Sequence, residues 1–227
     1  MIGTLVNVVT VIIGGTIGML FHSKVPKRFI DIAFNGIGVF TLILGVSMAI
    51  QSQQQLFMVF SIIIGSIVGE GLDLDKQLNR LSERFKKRLK SKDSNFSTGL
   101  ITAFLLFCMG SMTILGAIQE GVNQSPDLLL TKATMDGFAA LALASTLGIG
   151  VIFSVIPLFI FQGGLTLLAG YLQNYLNEPM ITELSAVGGL LLIALALNIL
   201  ELKAIKVMNM LPSLVVIIIF MVVHQFF

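Results

Sequence analysis

Long apolar runs, each closed by a short polar stretch, repeat along the whole chain. A bilayer core of ~30 Å takes ~20 apolar residues as one helix, so the runs predict membrane-spanning helices. The first three lie at about Thr4–Phe21, Phe29–Ile50 and Leu56–Glu70, and the fourth starts after Asn95-Phe-Ser-Thr and ends near Ile118. Residues 132–173 are mostly apolar and too long for one span. Gly148-Ile149-Gly150 is the best dividing point, giving Ala133–Leu147 and Val151–Leu172. The last two runs are Glu183–Leu200 and Met208–Gln225. The pattern is therefore an all-α polytopic membrane helix bundle of about eight spans, or seven if the turn at Gly148 is absent. Residues 1–227 read as a single membrane domain. Glu120–Thr131 reads as a loop with one helical turn after Pro126.

One segment differs in kind. Between 72 and 97, Leu74, Leu78, Leu81, Phe85 and Leu89 form a single apolar stripe at helical spacing, with Lys76, Arg80, Arg84, Lys87 and Arg88 mostly off it. This is a basic amphipathic helical insert, predicted to lie on the cytosolic side.

Charge then orients the bundle. Of 14 Lys and Arg residues, all but Lys132 fall in three gaps: His22–Ile30, Leu72–Ser97 and Glu201–Val207. Alternating spans put those gaps on one side. Cytoplasmic loops carry the excess of cations, so the pattern predicts a multi-pass protein of the bacterial cytoplasmic (inner) membrane with both termini outside. It also favours eight spans, because seven would strand Lys203 and Lys206 outside. The start, MIGTLVNVVTVIIGG, has no basic region before its apolar run and reads as a retained helix rather than a removed signal peptide.

Composition agrees: 56% of residues are hydrophobic and 11% charged, against roughly a quarter charged in soluble domains. The net charge of +2 is accounted for by topology and gives no reason to expect nucleic acid. Cys108 is the one cysteine, which rules out an internal disulfide. No His/Cys cluster, GxSxG, P-loop or dinucleotide fingerprint occurs, so no metal, cofactor or enzymatic activity is expected. The expected partners are the lipid bilayer and a small ion or polar solute, and a homo-oligomer is compatible with the pattern.

Polar groups inside spans need internal partners and mark function or packing. Asp136 is the acid furthest inside a run, one turn from Lys132. It reads either as a cation ligand or as one half of an i,i+4 pair at headgroup level. In the fourth run Gly110 and Gly116 flank Ser111 and Thr113, with Gln119 following. Such a stretch either unwinds to present oxygen ligands or lets helices approach closely. Pro157 with Gln162-Gly163 is a second candidate break. Asn198 and the Asn209–Pro212 segment form a third polar point, where Pro212 also suits a helix start. Gly36/Gly38 and Gly188/Gly189 open two hairpins of opposite orientation, the arrangement an inverted repeat requires.

MGSMTILGAIQEG at 109–121, Asp136-Gly137, Pro157 with Gln162-Gly163, NMLP at 209–212, the first helix and GSIVGE at 65–70 together resemble the YqgA/YdfK-like family of uncharacterised bacterial inner-membrane proteins. The resemblance covers essentially the whole chain. It implies the compartment and, from the family's description as a possible sodium channel or pump, an ion-transport role. The sequence thus leads to a transporter or channel for a small, sodium-like cation or small polar solute. Its ligands would come from Ser111, Thr113, Gln119, Asp136, Gln162, Asn198 and Asn209. The alternative is a non-transporting scaffold or sensor that docks partners through the basic insert.

Overall fold

In a computed structural model, residues 1–22, 27–77, 80, 96–108, 110–122, 125–172 and 177–224 are described. All regular elements among them are helices. In chain order these are α1 (Ile2–His22), α2 (Lys27–Ala49), α3 (Gln55–Leu72), α4 (Phe96–Cys108), α5 (Ser111–Gly121), α6 (Asp127–Leu147), α7 (Gly150–Phe153), α8 (Val155–Leu172), α9 (Glu178–Ile199), α10 (Val207–Met210) and α11 (Ser213–His224). Among the described residues six spans are long and apolar enough to cross a membrane, and a seventh if the bent α4–α5 pair counts as one. The apolar part of α2, Asn35–Ala49, is shorter. Most of the basic insert at 72–97 lies outside the described residues, although 74–77 are helical.

The chain gathers into two compact units. One holds residues 1–37 and 93–176, the other 38–92 and 177–227, and α2 passes from the first into the second.

In the first unit α1 shows why these helices pack as they do. Its buried positions, Gly3, Thr4, Asn7, Val11, Gly14, Gly15 and Gly18, recur at helical spacing. Leu5, Val9, Ile13, Ile17 and Leu20 point outward. Small and polar residues turn inward while large apolar ones face out, the reverse of a soluble helix, as expected where lipid is the solvent and close backbone approach holds helices together. The glycines let α1 lie directly on α6. A Cβ on Gly14 would run into the carbonyl of Gly137, and one on Gly18 into that of Leu141. Gly3 meets Leu129, so α1 and α6 run parallel. Against α8 the order reverses, with Thr4 opposite Thr166, Asn7 opposite Gln162 and Gly15 opposite Ile152 at α7. Consequently α6 and α8 are antiparallel, and the chain does reverse at Gly148-Ile149-Gly150. Gly148 has φ 72° and ψ −153°, a combination that only glycine takes up readily. The α4–α5 pair is antiparallel to α6, since Gly99 meets Leu147 and Gly116 meets Leu129. Cys108, the last residue of α4, is fully buried.

The second unit pairs two hairpins. Gly38 packs on Ile199 and Leu200, Gly45 on Gly189, and Ser52 on Glu183, which makes α2 and α9 antiparallel. Gly65 and Gly69 lie on Ser213 and Asn209, and the rings of Phe57 and Phe220 are 5.7 Å apart, so α3 runs antiparallel to α10–α11. These orientations match those expected of an inverted pair of hairpins.

Candidate functional site

The polar interior of the first unit is built on a broken helix. α4 ends at Cys108, Gly110 is extended (φ −75°, ψ 143°), and α5 starts at Ser111, bent 61° from α4. The last carbonyls of a helix have no partner within it and carry the negative end of its dipole. One of them, Phe107 O, accepts from Thr113 Oγ1 at 2.7 Å and from Lys132 Nζ at 3.1 Å. The same ammonium lies 2.5 Å from Asp136 Oδ1 and 5.8 Å from the centre of the Phe107 ring. Lys132 and Asp136 are 7% and 4% exposed, so the i,i+4 pair that the sequence offers forms and is covered by the packed helices of the first unit.

From Asp136 the network extends through an amide. Asn7 Nδ2 donates to Asp136 Oδ2 at 3.0 Å and to Gln162 Oε1 at 2.9 Å. Gln162 Nε2 donates to Thr4 Oγ1 at 3.2 Å, and Thr4 and Thr166 hydroxyls are 3.5 Å apart. Three helices, α1, α6 and α8, thus meet at one polar point, with the carbonyl end of α4 as the fourth contributor. Among the described residues the buried oxygens Asn7 Oδ1 and Glu120 Oε2 have no hydrogen-bond partner. The other Glu120 oxygen accepts from Gly3 N at 2.8 Å and pairs with the Met1 ammonium at 3.0 Å, so this carboxylate already has its counter-charge. Each unpaired acceptor costs on the order of 1–3 kcal/mol and offers a lone pair to a cation or donor.

Of the residues singled out in the sequence, Thr113, Asp136 and Gln162 belong to this network. Ser111 opens α5 and Gly110 makes the break. Gln119 lies half-buried on α5, and it is its neighbour Glu120 that is drawn into the interior. Gly116 packs on Leu129 and Gly163 on Met1 and Thr4, both within unbroken helix. Pro157 follows a real interruption at Ser154, between α7 and α8, as expected for a residue with no N–H to give the preceding turn. Pro212 separates α10 from α11.

The remaining two candidates, Asn198 and Asn209, are in the second unit and hold backbone there. Asn198 exchanges two 2.7 Å bonds with Ile205. Asn209 donates to Glu70 Oε2 and accepts from Asp75 N, both at 2.6 Å. Glu70 also pairs with Lys206 at the exposed end of α3. Glu183, almost fully buried, accepts from Ser52 Oγ (2.6 Å), Gln53 N (2.6 Å) and Gln54 N (3.0 Å). It thereby neutralises the positive N-terminus of α3. Among the described residues no group of His, Cys, Asp and Glu could hold a metal ion as a dedicated site.

Asn7, Lys132 and the Phe107 carbonyl were not assigned to the site from sequence. The signal for Asn7 was present in the spacing Gly3, Asn7, Thr10, Gly14, Gly18, which marks one face of α1. A backbone carbonyl leaves no such trace.

A family profile described as "Protein of unknown function (DUF554)" matches residues 2–222. The chain is similar to the "Uncharacterized membrane protein YdfK" of Bacillus subtilis, 34% identical over 100% of this chain and 98% of the relative. It is also similar to the "Uncharacterized protein YqgA" of Escherichia coli, 32% identical over 94% and 93%. No solved structure matches.

Proposed function

We propose, from the premise that this chain belongs to the DUF554 family of multi-pass membrane proteins, that it moves a small cation, sodium-like in size and charge, across the membrane. The carrying observation is the buried Asp136 carboxylate, whose two donors, the Lys132 ammonium and the Asn7 amide, also donate to the helix-end carbonyl of Phe107 and to the Gln162 oxygen. Acids buried within membrane-spanning helices are expensive and typically serve ion pathways. A broken helix that turns its carbonyl end inward is a familiar way to supply neutral oxygens for a cation. Thr113, Asn7 and Gln162 order the surrounding oxygens, while Asp136 offsets the cost of stripping water from the ion. The cation distribution supports a cytoplasmic membrane location with both termini outside.

Purified protein in liposomes under a sodium gradient tests this. Asp136→Asn should abolish or strongly reduce flux while leaving folded protein in the membrane, because the amide keeps the volume and loses the charge. Thr113→Val should have a smaller effect. Unchanged flux in the Asp136 variant, or no uptake of any monovalent cation by the parent, would overturn the reading. The latter result would move a small-polar-solute carrier, or a scaffold acting through the basic insert, ahead of it.

A further inference from the structure

Lys132 is the one Lys or Arg that topology leaves unexplained, and its ammonium sits where a transported cation would be best received. Its surroundings are those of a cation receptor: a carboxylate oxygen at 2.5 Å, the carbonyl end of α4 at 3.1 Å and an aromatic face at 5.8 Å. Such oxygens replace the water shell of a monovalent ion as readily as they bind an ammonium. The second Asp136 oxygen is held by Asn7, whose own Oδ1 is buried and unpartnered. We propose that this place is a monovalent-cation site whose resident occupant is the protein's own lysine. A free alkali or ammonium ion enters only when the Lys132 side chain withdraws. The inference rests on the cation reading of the preceding subsection and adds to it the substrate's valence and a built-in competitor.

Charge balance sets the valence. With Lys132 in place the pair is neutral. When the ammonium leaves, one carboxylate remains, and one monovalent ion restores neutrality. A divalent ion would leave an uncompensated positive charge in a region of low dielectric, which is strongly disfavoured. The competition also explains why an interior acid can persist in the empty state. Its counter-ion is tethered and does not have to be recruited.

The test reads folding stability and not transport. Lys132→Met removes the tethered cation and leaves Asp136 unpaired, so any ion able to take the vacated place stabilises the fold by mass action. Thermal unfolding of the detergent-solubilised protein is followed as choline chloride is replaced by sodium or potassium chloride at constant ionic strength. In the Lys132→Met protein, Tm should rise by roughly 3–5 °C for each tenfold increase of alkali ion above its dissociation constant. The parent should not respond, nor should Lys132→Met combined with Asp136→Asn. If Lys132→Met does not accumulate, Lys132→Gln, which can still donate to Asp136 and to the Phe107 carbonyl, is measured in the same way. Indifference of the neutral variant to alkali ions would overturn the site. An equal response in the parent would overturn the resident lysine. A response in the variants together with a parent that moves no cation in liposomes would keep the site and refute transport, so the two readings can fail separately.

Discussion

Gly45 on α2 and Gly189 on α9 exclude each other's side chains: a Cβ on Gly45 would lie 2.7 Å from the carbonyl oxygen of Gly189, and one on Gly189 would lie 2.6 Å from that of Gly45. Neither obstacle is the flexible end of a side chain, so the two backbones would have to separate. Gly189→Leu should therefore destabilise the protein by ~1–3 kcal/mol, the usual cost of overpacking. Gly36→Ala on the same α2 helix, where an added Cβ meets nothing within 4 Å, should be neutral or slightly stabilising. Thermal unfolding in detergent would separate the two.

Glu183 should prove structural. Replacing it by Gln removes the charge that accepts from Gln53 N and Gln54 N just ahead of α3 and keeps one acceptor. A loss of ~1–3 kcal/mol is expected. Ser52→Ala should cost less, because two backbone donors still hold the carboxylate. Hydrogen exchange at Gln53 and Gln54 should speed up in the Glu183 variant and change little elsewhere.

Asn7 is the link that joins three helices of the first unit. Asn7→Leu leaves Asp136 Oδ2 and Gln162 Oε1 without their common donor, each a buried acceptor worth on the order of 1–3 kcal/mol when orphaned. Thr16→Val, on the exposed face of the same helix, should stay within ~0.5 kcal/mol of the parent. A comparable loss for both variants would mean that the Asn7 bonds carry no weight.

The reversal at Gly148 depends on a backbone geometry closed to other residues. Gly148→Ala should cost ~1–3 kcal/mol, whereas Gly170→Ala, inside α8 with open space around its missing Cβ, should be tolerated. The two melting curves check this directly.

Topology follows from the same reversal. With α6 and α8 antiparallel, reporters fused after residue 124 and after residue 175 should report the same side of the membrane. Reporters fused after residue 205 should report the opposite, cytoplasmic side, and one after Phe227 the outer side. A cytoplasmic signal after Phe227 would remove one span from the count.

The helices were readable from sequence because a bilayer imposes one length and one polarity on a span, and six of the runs obey both, while α2 is shorter and the α4–α5 run is bent. Gly148-Ile-Gly150 was readable as a turn because glycine is a local property. The convergence of polar residues was not, since it depends on which helices touch. Thr113, Asp136 and Gln162 come together through Asn7 and a backbone oxygen, while Asn198 and Asn209, equally polar and equally deep in the sequence pattern, turn instead to neighbouring loop and helix-end groups. Gln119 and Glu120 show the same limit at single-residue scale. Helix phase decides which of two adjacent polar side chains faces inward, and the break at Gly110 shifts that phase.

The closed environment of Cys108 makes the natural protein its own blank for labelling chemistry. The chain has a single thiol, and that thiol is 0% exposed at the end of α4. Maleimide or methanethiosulfonate reagents should pass the folded protein by, so cysteines introduced one at a time along α1 or α6 would report their own surroundings without prior removal of the native one. Reaction at Cys108 itself would then serve as a marker that the break between α4 and α5 has opened.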